Sequence, residues 1–196
     1  MFSHEKNPFR LFDRWFRKAK RSSGQKDPNA MCVATVGPKG APDARMVLLK
    51  DFDESGFVFF TNLTSAKGKQ ILKNPRVALT FHWDKLGLQV RVRGSVKRVS
   101  DAEADHYFHS RPRLSQIGAW ASLQSRELSS RSVLLARAAA VARKYLGREI
   151  PRPAFWTGLR VVPAEMEFWT SRPFRLHDRF LYRRSGRGWR VTRLYP

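Results

Sequence analysis

The feature that most narrows the choice of fold is a succession of short strand-like runs, each closed by turn residues. They are MCVATV (31–36), ARMVLLK (44–50), GFVFFTN (56–62), RVALTFHW (76–83) and LQVRVRGSVKRV (88–99). In the last run Leu88, Val90 and Val92 alternate with Gln89, Arg91 and Arg93, the period of a strand with one face buried. Further runs are expected at 158–162, 166–169, 176–183 and 189–194. Helices punctuate them. Phe9, Phe12, Trp15 and Phe16 form an apolar stripe over 8–20, with Arg10, Arg14, Arg17 and Lys18 elsewhere on the helix. Ser65 caps a helix running to Lys73, and Ser100 with Glu103 forms a capping box for one reaching about 110. An alanine-rich helix covers about 131–145. Many short antiparallel strands with a few helices read as a mainly β (α+β) fold, a β-barrel with helical insertions.

A chain of 196 residues is long enough for one substantial core and short for two, so 1–196 is expected to be a single domain. Residues 1–26 form its N-terminal helix and a polar linker, RSSGQKDPN. No apolar run approaches the roughly 20 residues of a membrane span, and the first residues lack the apolar stretch of a signal peptide. The single cysteine, Cys32, cannot form an intramolecular disulfide and fits a reducing cytoplasm, the expected location. Charge is the outlier, with 38 Lys and Arg against 16 Asp and Glu, a net +22. Such a field attracts polyanions. The basic residues are nevertheless spread from Arg10 to Arg193, so any nucleic-acid binding is expected to be non-specific.

Three constellations suit anions. The segment Thr61–Lys67 runs from a strand into a capped helix start, where backbone N–H groups, hydroxyls and Lys67 meet, although most capped helix starts bind nothing. Tyr107 and Arg111 lie four apart on one helix face, with Ser115 beyond Pro112, a second clamp of phenol, guanidinium and hydroxyl. Arg175, His177 and Arg179 have the period of a strand face, with Leu176 and Phe180 expected to look inward. Metal and nucleophile readings fail. The histidines at 4, 82, 106, 109 and 177 form no HExxH, and there is no GxSxG, P-loop or strand-borne GxGxxG. Several anion sites without a catalytic acid–base or nucleophile pair suit a chain whose bound cofactor performs the chemistry.

Together these residues resemble the pyridoxamine 5′-phosphate oxidase family over about 12–196. The motifs are RMVLLK (45–50), FFTNLTSAK (59–67), YFHSRPRLSQIGAW (107–120), QS (124–125), EFW (167–169) and RLHDR (175–179). The resemblance implies an FMN-binding split β-barrel and a homodimer with flavin clefts at the interface. It implies that Arg45, Ser65, Lys67, Gln124 and Ser125 serve the FMN phosphate and ribityl chain. Phe60, Thr61, Gln89, Trp169 and Arg179 complete the flavin site, with Met46, Val47, Leu48 and Leu49 alongside through their backbone and Lys50 at the end of that run. Lys50, Tyr107, Arg111 and Ser115 hold the substrate phosphate, and Arg175 and His177 cover the ring as the catalytic pair. The implied reaction is oxidation of pyridoxamine 5′-phosphate or pyridoxine 5′-phosphate by O₂ to pyridoxal 5′-phosphate, with release of hydrogen peroxide.

Three departures from the family's pattern stand out. Ala66 sits where an arginine often accompanies the phosphate lysine, and Phe60 where an aromatic hydroxyl is common. The extension that can close over the substrate is expected to be missing before the first helix. Arg45 and Lys50, five apart, would point to opposite faces of a regular strand, so one flavin would reach both only through a bulge or a shared site. Competing readings are a flavin oxidase of phenazine-type biosynthesis, a non-catalytic flavin- or haem-binding barrel and a nucleic-acid-binding module. The joint presence of Lys50, Tyr107, Arg111 and Ser115, and of Arg175 with His177, argues against all three.

Overall fold

The structure, a computed structural model, describes residues 5–22, 24 and 26–196. Residues 1–4, Ser23 and Gln25, and with them His4 and part of the expected linker, lie outside the described residues. Nine strands among the described residues form one antiparallel sheet in the order β2-β1-β5-β6-β7-β4-β3, with β8 and β9 continuing from β7. They are β1 (Ala30–Val36), β2 (Pro42–Leu48), β3 (Asp51–Asp53), β4 (Gly56–Asn62), β5 (Arg76–Trp83), β6 (Leu88–Arg98), β7 (Trp156–Thr170), β8 (Asp178–Ser185) and β9 (Gly188–Leu194). The sheet curls into a half-barrel, and its inner face carries the buried partners of each alternation: Met31 and Val33, Leu79 and Phe81, Val90 and Val92, Met166 and Phe168.

The runs expected at 158–162 and 166–169 are one strand, β7. The sequence suggested a break because Pro163 lies between them, and a proline has no N–H to give to a ladder. The irregularity falls on β6, where the register shifts between Arg93 and Gly94 opposite Pro163. A Cβ on Gly94 would stand 2.1 Å from the Val162 carbonyl oxygen, so the bulge needs glycine there. Thus β7 serves two neighbours on one side, pairing with β4 through Trp156–Val161 and with β8 through Glu165–Thr170.

Helix α1 (Pro8–Arg21) is capped by the Asn7 side chain, which accepts from the Phe9 N–H, and carries Lys18, Lys20 and Arg21 at its negative end. Its stripe fills the mouth of the half-barrel. Phe12 is fully buried, with ring centroids 4.9 Å from both Phe57 and Phe81, and Trp15 lies edge-on to Phe168 at 5.2 Å. Burying each such side chain contributes roughly 1.5–3 kcal/mol. The Tyr182 hydroxyl donates to the Glu5 carbonyl (2.8 Å), and burial raises its pKa to about 12.

The remaining helices are α2 (Ala66–Lys73), α3 (Asp101–Ser110), α4 (Arg113–Ala121) and α5 (Arg131–Lys144). The sequence reading placed no helix at α4. Its N-cap, Pro112, offers no side-chain acceptor, and Ser115 and Gly118 dilute its pattern. The capping box at Ser100 is half made: Ser100 accepts from the Glu103 N–H, while the Glu103 carboxylate turns away to Arg160. The Ser65 cap forms as expected, accepting from the Gly68 N–H at 3.3 Å.

Gly68 ties this fold to its cleft. A Cβ there would lie 2.4 Å from the Leu63 carbonyl oxygen and 2.5 Å from the Leu63 Cα, backbone that cannot swing aside. Gly68→Ala is therefore expected to destabilise the protein by about 1–3 kcal/mol, read as a lowered denaturation midpoint with an unchanged m-value.

Candidate functional site

Strands β2 and β4 face each other across the split of the barrel without sharing a ladder, and a cleft of about 640 Å³ opens there. Met46, Val47, Leu48 and Lys50 line one wall, Phe60, Thr61 and Asn62 another, and Tyr107, Arg111 and Ser115 close one end. The spacing argument about Arg45 and Lys50 holds. The β1–β2 register runs unbroken from Ala30↔Leu48 to Val36↔Pro42, so no bulge in β2 turns Arg45 toward the cleft that Lys50, just beyond the strand, borders. Lys50 follows Met46 and Leu48 into the cleft. Arg45 points inward, donating to Thr35 Oγ1 (2.6 Å) and Gln70 Oε1 (3.1 Å) and pairing with Asp43. Leu49 is buried in the core, so any contact it makes with a ligand is through its backbone.

The start of α2 borders the cleft through Lys67, whose ammonium donates to Gln124 Oε1 at 3.0 Å. Burial lowers the Lys67 pKa, and the nearby Arg45 charge lowers it further. This is a cation that gains from an anion beside it. Ser65 is wholly buried, and its hydroxyl is engaged with the Asn62 carbonyl and the Gly68 N–H, so it shapes the helix start and does not line the cleft. Ala66 is exposed, and Ser125, next to Gln124, has a left-handed backbone (φ 69°).

The other end is an aromatic wall. Tyr107 stacks on Phe60 with centroids 4.0 Å apart, and Phe60 stacks on Trp156 at 5.2 Å. Gly158, opposite Phe60 across β4 and β7, makes the room, since a Cβ there would come within 2.8 Å of the Phe60 ring. The Arg111 guanidinium lies 4.7 Å from the Trp156 ring centroid, and its Nη1 is buried with no hydrogen-bond partner among the described residues. Burial pushes its pKa below the ordinary arginine value. Ser115 lies on α4, not on a loop, and Gln116 beside it donates to the carbonyls of Arg111 (2.9 Å) and His109 (3.3 Å), fixing the turn that aims the guanidinium. Lys50 sits 5.8 Å from the Tyr107 ring centroid.

Sequence reasoning assigned no role to Trp156, to Gly118 and Ala119 of α4 or to its C-cap Ser122, all of which line the cleft, and it placed Asn62 there only as part of the Thr61–Lys67 segment. Only the aromatic W-T-G start of β7 signalled Trp156. Its placement rests on Arg152, which donates to the Trp156 carbonyl (2.8 Å) while paired with Asp101 and Asp105 of α3.

The other expected site residues lie away from this cleft. Gln89 and Trp169 are cross-strand partners on the outer face of β6 and β7, and Arg179 pairs with Trp169 from β8. Arg179 bonds to Glu167 (2.8 Å) and to the Tyr195 carbonyl (3.0 Å). The expected strand face of Arg175, His177 and Arg179 is not formed, because β8 begins only at Asp178. Pro173 opens a 3₁₀ turn, Phe174 and Arg175 are left-handed (φ 57° and 61°), and Leu176 is exposed instead of inward-facing.

Comparison with known proteins agrees with this architecture. The family model described as pyridoxamine 5′-phosphate oxidase matches residues 20–145, and that of the pyridoxine 5′-phosphate oxidase C-terminal dimerisation region matches 156–196. A pyridoxine/pyridoxamine 5′-phosphate oxidase of Azorhizobium caulinodans is 55% identical over 197 aligned positions, covering 100% of this chain and 92% of its own. One of Gluconobacter oxydans is 56% identical over 190, covering 97% and 94%. Among solved structures, PhzG of Burkholderia lata in complex with tetrahydrophenazine-1-carboxylic acid superposes with a TM-score of 0.92 at 31% identity, covering 99% and 95%. An FMN-binding protein of Nostoc punctiforme gives 0.75 at 17% identity, covering 98% and 100%, a likeness of fold alone.

The unpartnered Nη1 makes Arg111 a burden on the ligand-free protein. Arg111→Met, which keeps the ring contacts without the charge, is expected to raise stability by about 1–3 kcal/mol. Inorganic phosphate should raise the thermal midpoint of the native protein more than that of the variant. Equal midpoints and equal phosphate responses would contradict this reading of the cleft.

Proposed function

The chain belongs to the pyridoxamine 5′-phosphate oxidase family, and we propose that it is a homodimeric FMN-dependent enzyme oxidising pyridoxamine 5′-phosphate or pyridoxine 5′-phosphate to pyridoxal 5′-phosphate. The observation that carries the reading is the orphaned Arg111 Nη1 at the end of the cleft where Lys50, Tyr107 and Ser115 converge. A buried guanidinium nitrogen without an acceptor suits a ligand that brings one, and a phosphate monoester offers oxygens in the geometry of the arginine fork. Lys67 is a second cationic point on the same cleft. One cleft with two anion positions suits a mononucleotide flavin lying beside a phosphorylated substrate.

FMN fits the residues present. Lys67 and Gln124 would hold its phosphate and ribityl end, with Arg45 adding charge behind Lys67 and Ser125 next in the chain. Thr61 and the backbone of 46–49 would border the ring system, with Phe60 behind. FMN, when bound, would supply the two-electron acceptor for oxidation at the substrate C4′, with O₂ as the final oxidant and hydrogen peroxide as its product. The protein's own groups then bind and orient. Lys50, Arg111, Tyr107 and Ser115 anchor the substrate phosphate, and the Phe60–Tyr107–Trp156 wall excludes water from that end.

Gln89, Trp169, Arg175, His177 and Arg179 enter this reading through the partner protomer, which meets the need for a site shared between subunits. In a two-fold dimer the outer sheet face of one chain can lie against the cleft of the other. Met46 and Leu48, on the β2 wall of the cleft, are 64% and 42% exposed, and their burial against a partner would favour such pairing. The likeness to PhzG keeps a phenazine-type ring in view as an alternative substrate, one without the phosphate that the Arg111 cluster suits.

Purified protein supplied with FMN and O₂ is expected to form pyridoxal 5′-phosphate and peroxide in equal amounts. Unphosphorylated pyridoxamine should react poorly, since each unpaired group in the clamp costs about 1–3 kcal/mol. Equal turnover of both amines would count against the substrate assignment. Mixing Arg111→Ala and His177→Ala protomers, each nearly inactive alone, should restore about a quarter of native activity, because half the dimers then carry one intact site of two. Absence of complementation would place both residues in one protomer's site.

A further inference from the structure

The turn joining β7 to β8 fixes the chemistry of His177. Its backbone is strained at Phe174 and Arg175, consecutive non-glycine residues in the left-handed region that L side chains disfavour. The turn is closed by a hydrogen bond from the Leu176 N–H to the Pro173 carbonyl (3.1 Å). It is clamped by Arg172, whose Nε donates to Asp178 Oδ2 (2.8 Å), while Arg193 bonds the other oxygen of that carboxylate. Inside this frame the Arg172 backbone N–H donates to His177 Nδ1 at 3.1 Å, and the imidazole lies 4.5 Å from the Trp169 ring centroid.

A backbone amide can only donate. Nδ1 therefore presents a lone pair, and the proton of the neutral ring must reside on Nε2. We propose that the 171–178 turn is a tautomer-fixing device. It presents His177 as a neutral imidazole whose Nε2–H donates to an acceptor atom on the ring of the bound substrate, and whose Nδ1 does not accept a substrate proton. The donor role rests on the oxidase reading above; the tautomer rests on the turn alone. Arg172 and Asp178 act as positioning residues, holding the amide against Nδ1 without touching the substrate. The device also gives the strained backbone a purpose, since relaxing Phe174 or Arg175 to right-handed geometry would re-aim the segment between Arg172 and His177.

Long-range proton–nitrogen correlation spectra of ligand-free protein labelled with ¹⁵N-histidine test the tautomer, with His177 assigned by the signals lost in His177→Gln. The expected pattern is an unprotonated Nδ1 and a protonated Nε2, drifting toward a tautomer mixture in Asp178→Asn. A protonated Nδ1 at pH 8 overturns the proposal. Steady-state kinetics test the donor role. The glutamine amide of His177→Gln can place an N–H near the Nε2 position, whereas the asparagine amide of His177→Asn falls nearer Nδ1 and faces the Arg172 N–H. His177→Gln is expected to retain at least about tenfold more kcat/KM than His177→Asn. Equal losses, or a better asparagine variant, overturn the donor role. A native protein without oxidase activity would defeat the oxidase reading and leave the tautomer to the spectrum.

Discussion

The architecture turns on the bulge at Gly94. Strand β7 is long enough to belong to both halves of the sheet, and β6 follows it across the whole span only by taking up an irregularity opposite Pro163. With no side chain at Gly94 the two backbones close to a separation that any other residue would forbid. On one side of the bulge β7 pairs with β4 and presents Trp156 to the cleft; on the other it pairs with β8 and presents Glu165, Glu167 and Trp169 outward. The cleft and the outer face are thus two ends of one strand, held in fixed relation by a single irregularity.

The electrostatics follow from the same placement. On the outer face Glu167 lies between Arg91 and Arg179, and Glu165 between Arg93 and Arg183. The hydrogen bond from Arg183 is the largest influence holding the Glu165 carboxyl below the usual range. The more exposed Glu165 pairs contribute little stability individually, whereas Glu167 is buried and needs its two arginines; together the pairs align the side chains of three strands. In the cleft the cations are treated differently. Arg111 and Lys67 are partly desolvated, and Arg111 Nη1 has no partner. Charge is neutralised where the sheet needs order and left wanting where a ligand would bind.

Much of the fold was legible because alternation is a direct imprint of a half-buried sheet, as at Leu88, Val90 and Val92, and because the Ser65 and Ser100 side chains cap their helices as expected. Helix α4 was not legible. It is held by Ile117 packing near Trp156 and by Gln116 reaching two carbonyls, contacts with no local signature. The period-two reading of 175–179 failed because Pro173 starts a turn whose left-handed residues break strand phase, something residue identity does not announce for Phe and Arg. Of the candidate site, Lys67 followed from the helix-start reading and the Tyr107, Arg111 and Ser115 cluster from spacing. Arg111 is nevertheless the C-cap of α3, with an extended backbone, and does not share its helical face. Most other cleft residues came through resemblance. Trp156, the platform for Arg111, is 45 residues away in sequence and visible only when β4 and β7 pair.

The aromatic stripe of α1 also has a consequence for synthesis. Phe9, Phe12, Trp15 and Phe16 leave the ribosome long before Phe168, on which Trp15 packs. At about 5–20 residues per second, translation separates these partners by roughly 8–30 s. Throughout that interval the nascent chain carries a sticky, cationic helix that cannot yet be housed. Until β7 is made, the Trp15 side of that helix lacks its seat on Phe168, an apolar surface open to association with other chains.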